Sequence, residues 1–434
     1  MNIANPGVTA ILKLLSSTLD KEFRQTFRSL KYRNIRIFLC GQMLSLSCTW
    51  MQMVAMSWLV YRLTKDPIFL GLVEGANLLP MLLFGLAGGS IADRFDRRRV
   101  MITTQVLAMF QATVLAVLTL TGTVTAWHCL ILAAFLGTVN AFEVPSRQTL
   151  LVNMVAREDL VNAVSLGSSI FNVARSVGPA LAGIIVAMQG EGICFVINAV
   201  SYSFALIALC MLKLTTDQSG GGENQGEKPG FRDGIDFVIG HETVLRIICL
   251  AVAISLFGLQ FSVILPIFAS EILGGGVETL GLLRAANGFG ALLAALTLAS
   301  RAQGKLLRPG VGAACVVYGL SLILFSFSTV TWISTLIMLV TGFALVTMLS
   351  GGNSLVQLSV PDQLRGRVMS IYMTLLLGLA PAGSVFIGWL AARVGAPTAL
   401  AINATIVSLA GCVYLLSLFV FKKASATKDG INSL

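Results

Sequence analysis

Twelve apolar runs separated by short polar turns constrain this chain more than any other feature. A helix needs about 20 mainly apolar residues to cross the hydrocarbon of a bilayer. Runs of that kind occupy residues 35–61, 68–92, 100–121, 127–149, 161–188, 192–213, 245–270, 278–300, 310–328, 331–352, 367–391 and 398–421. Hydrocarbon offers no water to backbone amides, so each run must close its own hydrogen bonds as a helix. The strict two-residue alternation of a membrane barrel strand is absent. Only 12% of the residues are charged, against about 25% in an ordinary soluble domain. A soluble fold is thereby excluded, and the expected class is an all-α membrane protein with twelve transmembrane helices.

The net charge of +10 invites a nucleic-acid reading, but its placement argues against one. Of the 30 Lys and Arg residues, 25 fall in the N-terminal segment, in alternate loops beginning with the one after span 2, and in the tail. Loops rich in Lys and Arg stay cytoplasmic, so both termini are expected in the cytoplasm, with anionic lipid headgroups as neighbours. The eight cysteines are scattered, most of them inside apolar runs, without CxxC or Cys/His metal spacing. No disulfide framework, metal or cofactor is expected. Residues 1–33 show no cleavable signal, so span 1 is expected to serve as the insertion signal.

The chain also repeats itself. Leu70-Gly71-Leu72 with Ala76-Asn77 recurs as Leu280-Gly281-Leu282 with Ala286-Asn287, and Arg36-Ile37 recurs as Arg246-Ile247, all at an offset of 210. Leu151-Val152 with Leu160 and Val164 matches Leu355-Val356 with Leu364 and Val368 at an offset of 204. Six spans, a linker and six spans again make a parallel duplication. The expected organisation is an N-terminal amphipathic segment (1–33), a six-helix bundle (34–213), a linker with a short surface helix (214–243), a second six-helix bundle (244–423) and a tail (424–434). In the linker, residues 217–230 are rich in Gly and polar residues, and Phe231, Ile235, Val238 and Ile239 then recur at helical spacing.

Between spans 2 and 3 lies Gly89-Ser-Ile-Ala-Asp93-Arg94-Phe-Asp96-Arg97-Arg98-Arg99. An acid followed by four arginines cannot stay in hydrocarbon, so it marks a turn at the membrane surface. Gly89 would permit close helix approach, Asp93 would accept hydrogen bonds at another helix's N-terminus, and Arg94, Arg97 and Arg98 would bond acids or lipid phosphates. The pattern resembles the signature loop between helices 2 and 3 of the major facilitator superfamily, with Asp96 in place of the usual Gly. Asn353-Ser-Leu-Val-Gln357 and Pro361-Asp-Gln-Leu-Arg365-Gly-Arg367 add a resemblance to the bacterial branch of enterobactin exporters and macrolide efflux proteins. The resemblance implies two six-helix bundles related by a pseudo-two-fold, and a loop that latches helix 2 against helix 11 at the cytoplasmic side. It further implies that helices 1, 4, 7 and 10 line a central cavity.

Gly178-Pro179 with Gly183 in span 5 resembles the Gly-Pro motif of superfamily exporters that exchange substrate for protons, although packing alone also accounts for it. Four charges lie within spans: Glu74, Glu143, Arg175 and Arg284. Each costs about 2.5–3.5 kcal/mol at a helix centre, so each needs a partner or water. Glu143 either joins Asp93 and Arg97 in a relay, or pairs locally with Arg147, or carries a proton. Glu74 either couples transport to protons or forms a structural ion pair, and the duplication places Arg284 at its equivalent position. Arg175 would counter an acid or an anionic group of the substrate. Gln42, Ser45, Thr49 and Gln52 form one helical stripe in span 1. With Asn140, Ser255, Ser262 and Asn353 they are either cavity-lining residues or interhelical hydrogen-bonding ones.

No nucleotide-binding, hydrolase or kinase motif occurs, so no enzyme is expected. The reading is a monomeric proton-coupled exporter in the bacterial inner membrane, moving a small amphipathic organic molecule (siderophore or drug-like) by alternating access. A lipid facilitator, moving lysophospholipid between leaflets, is the alternative. A non-transporting sensor or assembly partner is a more remote one.

Overall fold

A computed structural model describes residues 28–213, 231–301 and 307–431, leaving out the side chains of a few helical residues, Asp93 and Arg94 among them. Twelve helices are long and apolar enough to cross a membrane. In the first bundle they are α1 Arg33–Thr64, α2 Pro67–Arg94, α3 Arg97–Leu120, α4 Ala126–Val152, α5 Leu160–Gln189 and α6 Glu191–Met211. In the second they are α7 Glu242–Ile272, α8 Val277–Arg301, α9 Leu307–Ser326, α10 Thr331–Ser359, α11 Asp362–Val394 and α12 Ala396–Ile431. No strand occurs among the described residues. Local chemistry sets the turns. Asp66 accepts from the Ile68 amide at 2.8 Å with Pro67 at the first helical position, so α2 starts there. Gly190 and Gly395 carry positive φ of 82° and 84° and let α5 and α11 turn sharply into their successors.

The duplication read in the sequence is a duplication of contacts. Gly137 of α4 sits directly on the Asn77 carbonyl of α2, and Gly342 of α10 sits in the same way on the Asn287 carbonyl of α8. Gly183 of α5 meets Gly281 of α8, as Gly388 of α11 meets Gly71 of α2. Tyr61 donates to Glu271 at 2.9 Å across a sequence separation of 210, the repeat offset itself. Equivalent positions of two repeats touch where both lie beside the axis that relates them, so this bond marks the pseudo-two-fold.

Two helices depart from the expected continuous runs. α7 is expected unbroken over 245–270. It widens into a π turn at Ile254–Gly258, tightens to 3-10 geometry at Leu259–Val263 and widens again at Phe268–Ile272. Pro266, which has no amide hydrogen to donate, lies inside this irregular stretch. α11 is two segments, Asp362–Gly378 and Ala380–Val394, joined at Leu379 just before Pro381.

Among the described residues, the close contacts between the bundles lie toward the end away from the chain termini. There the α2–α11 seam runs through Pro67, Gly71, Gly75, Pro381, Ser384 and Gly388. The α5–α8 seam pairs Pro179 and Gly183 with Glu278 and Gly281, and Ser176 donates to the Ala285 carbonyl at 3.1 Å. Small residues let these backbones approach where larger ones would hold them apart. Followed toward the termini, the α2 stripe passes Leu82, which touches Gly378, and then reaches Gly85 and Gly89. Where their Cβ atoms would lie, the space is empty to 4 Å, as it is at Gly366 of α11. Val161, Val164 and Phe171 on the terminal half of α5 are exposed as well. The molecule is sealed at its far end and open at its terminal end.

The expected linker residues 217–230 and most of the expected N-terminal amphipathic segment lie outside the described residues. The surface helix runs Phe231–Gly240 and packs on α11, with Gly234 against Arg367 and Ile371 and with Val238 buried. A Cβ at Gly281 would stand 2.6 Å from the Pro179 carbonyl oxygen. Gly281→Val is therefore expected to destabilise the sealed state by ~1–3 kcal/mol. Thermal unfolding of the purified protein should show a lower Tm than the wild type, whereas Gly89→Val should leave it unchanged.

Candidate functional site

Three of the four charges inside the spans, Glu74, Arg175 and Arg284, lie where the two bundles meet. Glu74 of α2 and Arg284 of α8 line one cavity of about 40 Å³, with Gln52, Ser57, Asn77 and Val263 among its walls. A site for one water needs roughly 10–15 Å³ of such volume, so the cavity has room for a few waters and is too small for an organic solute. The two charges do not close to an ion pair within 4.0 Å. Arg284 donates instead to the Ser262 carbonyl at 2.9 Å, while its Nε and the Asn77 Oδ1 are buried without a described partner. Because 74 and 284 are separated by the repeat offset, they face each other from equivalent positions.

Arg175 of α5 lies where the open vestibule ends and the α5–α8 seam begins. Its guanidinium donates to Asn287 Oδ1 of α8 at 2.9 Å and stands 5.9 Å from the centre of the Trp50 ring of α1. Phe171, one turn nearer the opening, meets Trp50 edge-on at 5.7 Å. Gly178 makes this arrangement possible, because α1 presses on it through the Ser47 carbonyl and the Trp50 Cβ. Pro179 and Gly183 face α8, and α5 runs unbroken through Pro179. The helix-5 glycines therefore serve α1–α5 and α5–α8 contact.

The polar stripe of α1 does not line the vestibule. Gln42, Ser45 and Gln52 are buried. Gln52 donates to Gln111 of α3 at 3.0 Å and accepts from Asn198 of α6 at 2.8 Å, and Thr49 pairs with the Tyr202 hydroxyl at 3.2 Å. The stripe points into the first bundle, and polar groups in a dry helix interface bond each other. Helical spacing identified one face correctly but could not say which neighbour it meets. Met43 and Leu44, on another face, are exposed. Ser255 is fully buried, Ser262 contributes its carbonyl to Arg284, and Asn140 and Asn353 are half-buried.

At the terminal end, the loop is a set of helix caps in this state. Asp96 accepts from the amides of Arg98 at 2.9 Å and Arg99 at 3.4 Å and so starts α3, which accounts for an acid where a Gly was expected. Arg98 donates to the Cys210 carbonyl at the end of α6, at 2.7 Å. Gly89 is not at a close helix approach. Its neighbour Gly88 is, pressed on Ala141 of α4. Glu143 pairs with Arg147 at 3.6 Å, and the described residues show no bond from it to Arg97. The Asp93 and Arg94 side chains lie outside the described residues.

One cluster escaped the sequence reading. Asp159, buried at the start of α5, takes Arg28 at 2.8 Å, Lys31 at 2.6 Å and the Tyr32 hydroxyl at 2.8 Å. It ties the segment before α1 to the α4–α5 turn. The hydrogen bonds from Lys31 and then Tyr32 hold its carboxyl below the usual carboxylate range. An acid just before an apolar run is the signal that could have found it.

A twelve-helix protein of two like bundles, sealed at one end around buried charges, has the architecture of a secondary transporter. Residues 25–432 match the transmembrane secretion effector family, and the chain belongs to that branch of the major facilitator superfamily. It is 28% identical to the staphyloferrin A transporter of Staphylococcus aureus over 57% of this chain and 62% of that one. It is 26% identical to the multidrug efflux pump Tap of Mycolicibacterium fortuitum, covering 79% of this chain and 85% of the pump. Among solved structures, a bacterial homologue of the human lysosomal transporter Spinster, inward-facing and unoccupied, superposes with a TM-score of 0.69 at 15% identity. That match covers 90% of this chain and 98% of the homologue. The chain is thus a multi-pass bacterial membrane protein of the transporter class.

The depressed Asp159 carboxyl gives the tether a defined pH dependence. A group held low when folded stabilises the folded form above its unfolded pKa, and that stability is lost as pH falls through the folded value. Protection factors for hydrogen exchange at residues 28–32, taken relative to the intrinsic rate at each pH, should therefore be high at neutral pH and fall in acid. Asp159→Asn should show fast exchange at neutral pH already.

Proposed function

We propose that this protein is a proton-coupled exporter of a small amphipathic organic molecule, siderophore-like or drug-like, working by alternating access in the inner membrane. The placement of Lys and Arg supports a cytoplasmic location for both termini, which makes the open end the cytoplasmic one. The observation that carries the reading is the position of Glu74 and Arg284, equivalent charges facing across the closed seam in a water-sized cavity. Rocking the bundles to open the far end would bring both into an outer vestibule, where Glu74 takes up a proton. An uncharged carboxyl re-enters the closed seam at lower cost than an ion, so protonation favours the return stroke. Loss of the proton to cytoplasmic water resets the cycle.

In the opposite state Gly85 and Gly89 of α2 would meet the Gly366 end of α11, repeating at the cytoplasmic side what Gly71 and Gly75 do at the outer side. The loop at Asp93–Arg98, with Glu143 near it, is the latch for that state. The substrate class follows the relatives' names, a siderophore transporter and drug efflux pumps. Membrane lipid is the expected neighbour of the crevice of about 430 Å³ between α2, α3 and α4, whose mouth carries Asp96 and Arg99.

Inverted vesicles with an imposed inward-acidic gradient should take up drug or siderophore faster than de-energised ones. Glu74→Gln should remove that dependence while leaving gradient-independent exchange measurable. Movement of substrate that ignores the gradient in the wild type would contradict proton coupling, and a facilitator of lipid-like molecules would then be the better reading.

A further inference from the structure

Of the four charges set well inside the spans, one has no opposite charge beside it. Glu143 is matched by Arg147, and Glu74 shares its cavity with Arg284. Arg175 remains. Among the described residues no carboxylate oxygen comes within 4.0 Å of it, and its one hydrogen bond goes to a neutral amide oxygen, that of Asn287. A guanidinium carries several N–H donors in a fixed fork, so most of them are left for another acceptor. Holding an uncompensated cation at membrane depth is costly. A purely structural role would be met more cheaply by an uncharged residue.

The position of Arg175 matters as much as its charge. It stands immediately before the seam contact of Ser176 with the Ala285 carbonyl, on the side of that contact nearer the terminal end. A solute entering from the terminal end meets exposed Phe171 first, then the Trp50 ring packed on it, then the guanidinium. An apolar aromatic wall followed by a cation is complementary to an amphipathic anion. We infer that the transported molecule carries an oxyanion, a carboxylate or its equivalent, received by Arg175, with its apolar part against Trp50 and Phe171. This rests on the transporter reading above and narrows its substrate class.

The same geometry connects binding to movement. Asn287 is the acceptor by which α8 of the second bundle holds Arg175 of the first. A charged acceptor makes a hydrogen bond roughly twice as strong as a neutral one, so an oxyanion on the remaining N–H groups competes with the Asn287 amide for the guanidinium. One of the polar ties of the seam is then weakened when substrate is present. Arg175 is in this sense both the receptor and a release for the far-end seal.

The test uses the full chain in lipid nanodiscs without any gradient, so that a failure of proton coupling cannot affect it. Calorimetry would compare three probes of one shape: 4-phenylbutyrate, 4-phenylbutyramide and 4-phenylbutylamine. The wild type is expected to bind the carboxylate about tenfold tighter than the amide and the amine, a difference of ~1.4 kcal/mol. Arg175→Gln should abolish this preference and Arg175→Lys should keep part of it. Trp50→Leu, which leaves the guanidinium in place, should weaken all three probes alike and keep the order. Equal binding of the three probes by the wild type would overturn the inference. So would a carboxylate preference that survives in Arg175→Gln. If Arg175→Gln does not fold, loss of the preference in Trp50→Leu counts against the assignment and its retention supports it.

Discussion

The structure depends on close backbone contact between the bundles at small residues. Gly71, Gly75 and Gly388 on one side, and Gly183 and Gly281 on the other, bring α2 to α11 and α5 to α8 at the far end. In a membrane there is no hydrophobic drive to pull one apolar helix onto another, so packing and polar ties do the work. The polar ties between the bundles lie at or beside these seams. Tyr61 to Glu271 ties the far end, Ser176 and Arg175 tie α5 to α8, and Glu74 and Arg284 face each other between them. The same stripes lose contact toward the termini, which leaves a vestibule behind the seal.

Hydropathy and repetition made the fold legible. Twelve runs set the number of helices, and the 210-residue offset pointed to two like halves. The offset also contained more than was taken from it. Tyr61 and Glu271 differ by 210, so their bond beside the pseudo-two-fold was open to inference, and Asn77 and Asn287 sat in the repeated phrase as acceptors awaiting a partner. The irregular course of α7 was signalled by Pro266, but a proline within an apolar run does not say how the backbone will accommodate it.

Side-chain direction was the harder part, for a physical reason. A helix in a bundle has several faces with partners, and periodicity shows that residues share a face without showing which neighbour they meet. In the stripe of Gln42, Ser45, Thr49 and Gln52, Thr49 and Gln52 bond to α3 and α6, while Gln42 and Ser45 are buried. Gly89 illustrates a second limit. The loop pattern does not say which of two adjacent glycines a neighbouring helix presses on, and it is Gly88, against Ala141 of α4, while the space at Gly89 is open. Asp96 illustrates a third, since as an exception to a loop pattern it looked like a loss, whereas in three dimensions it caps α3.

The central claim is that the far-end seal and the terminal-end opening exchange places. Spin labels on a cysteine-free background can follow both ends at once, with Lys65 and Phe327 reporting the far end, and Phe95 and Leu358 the terminal end. Pulsed electron resonance in nanodiscs should show the far-end distance lengthening and the terminal-end distance shortening together when substrate is added. If both distances stay fixed, or if both lengthen together, the halves do not rock about the buried charges and the account fails.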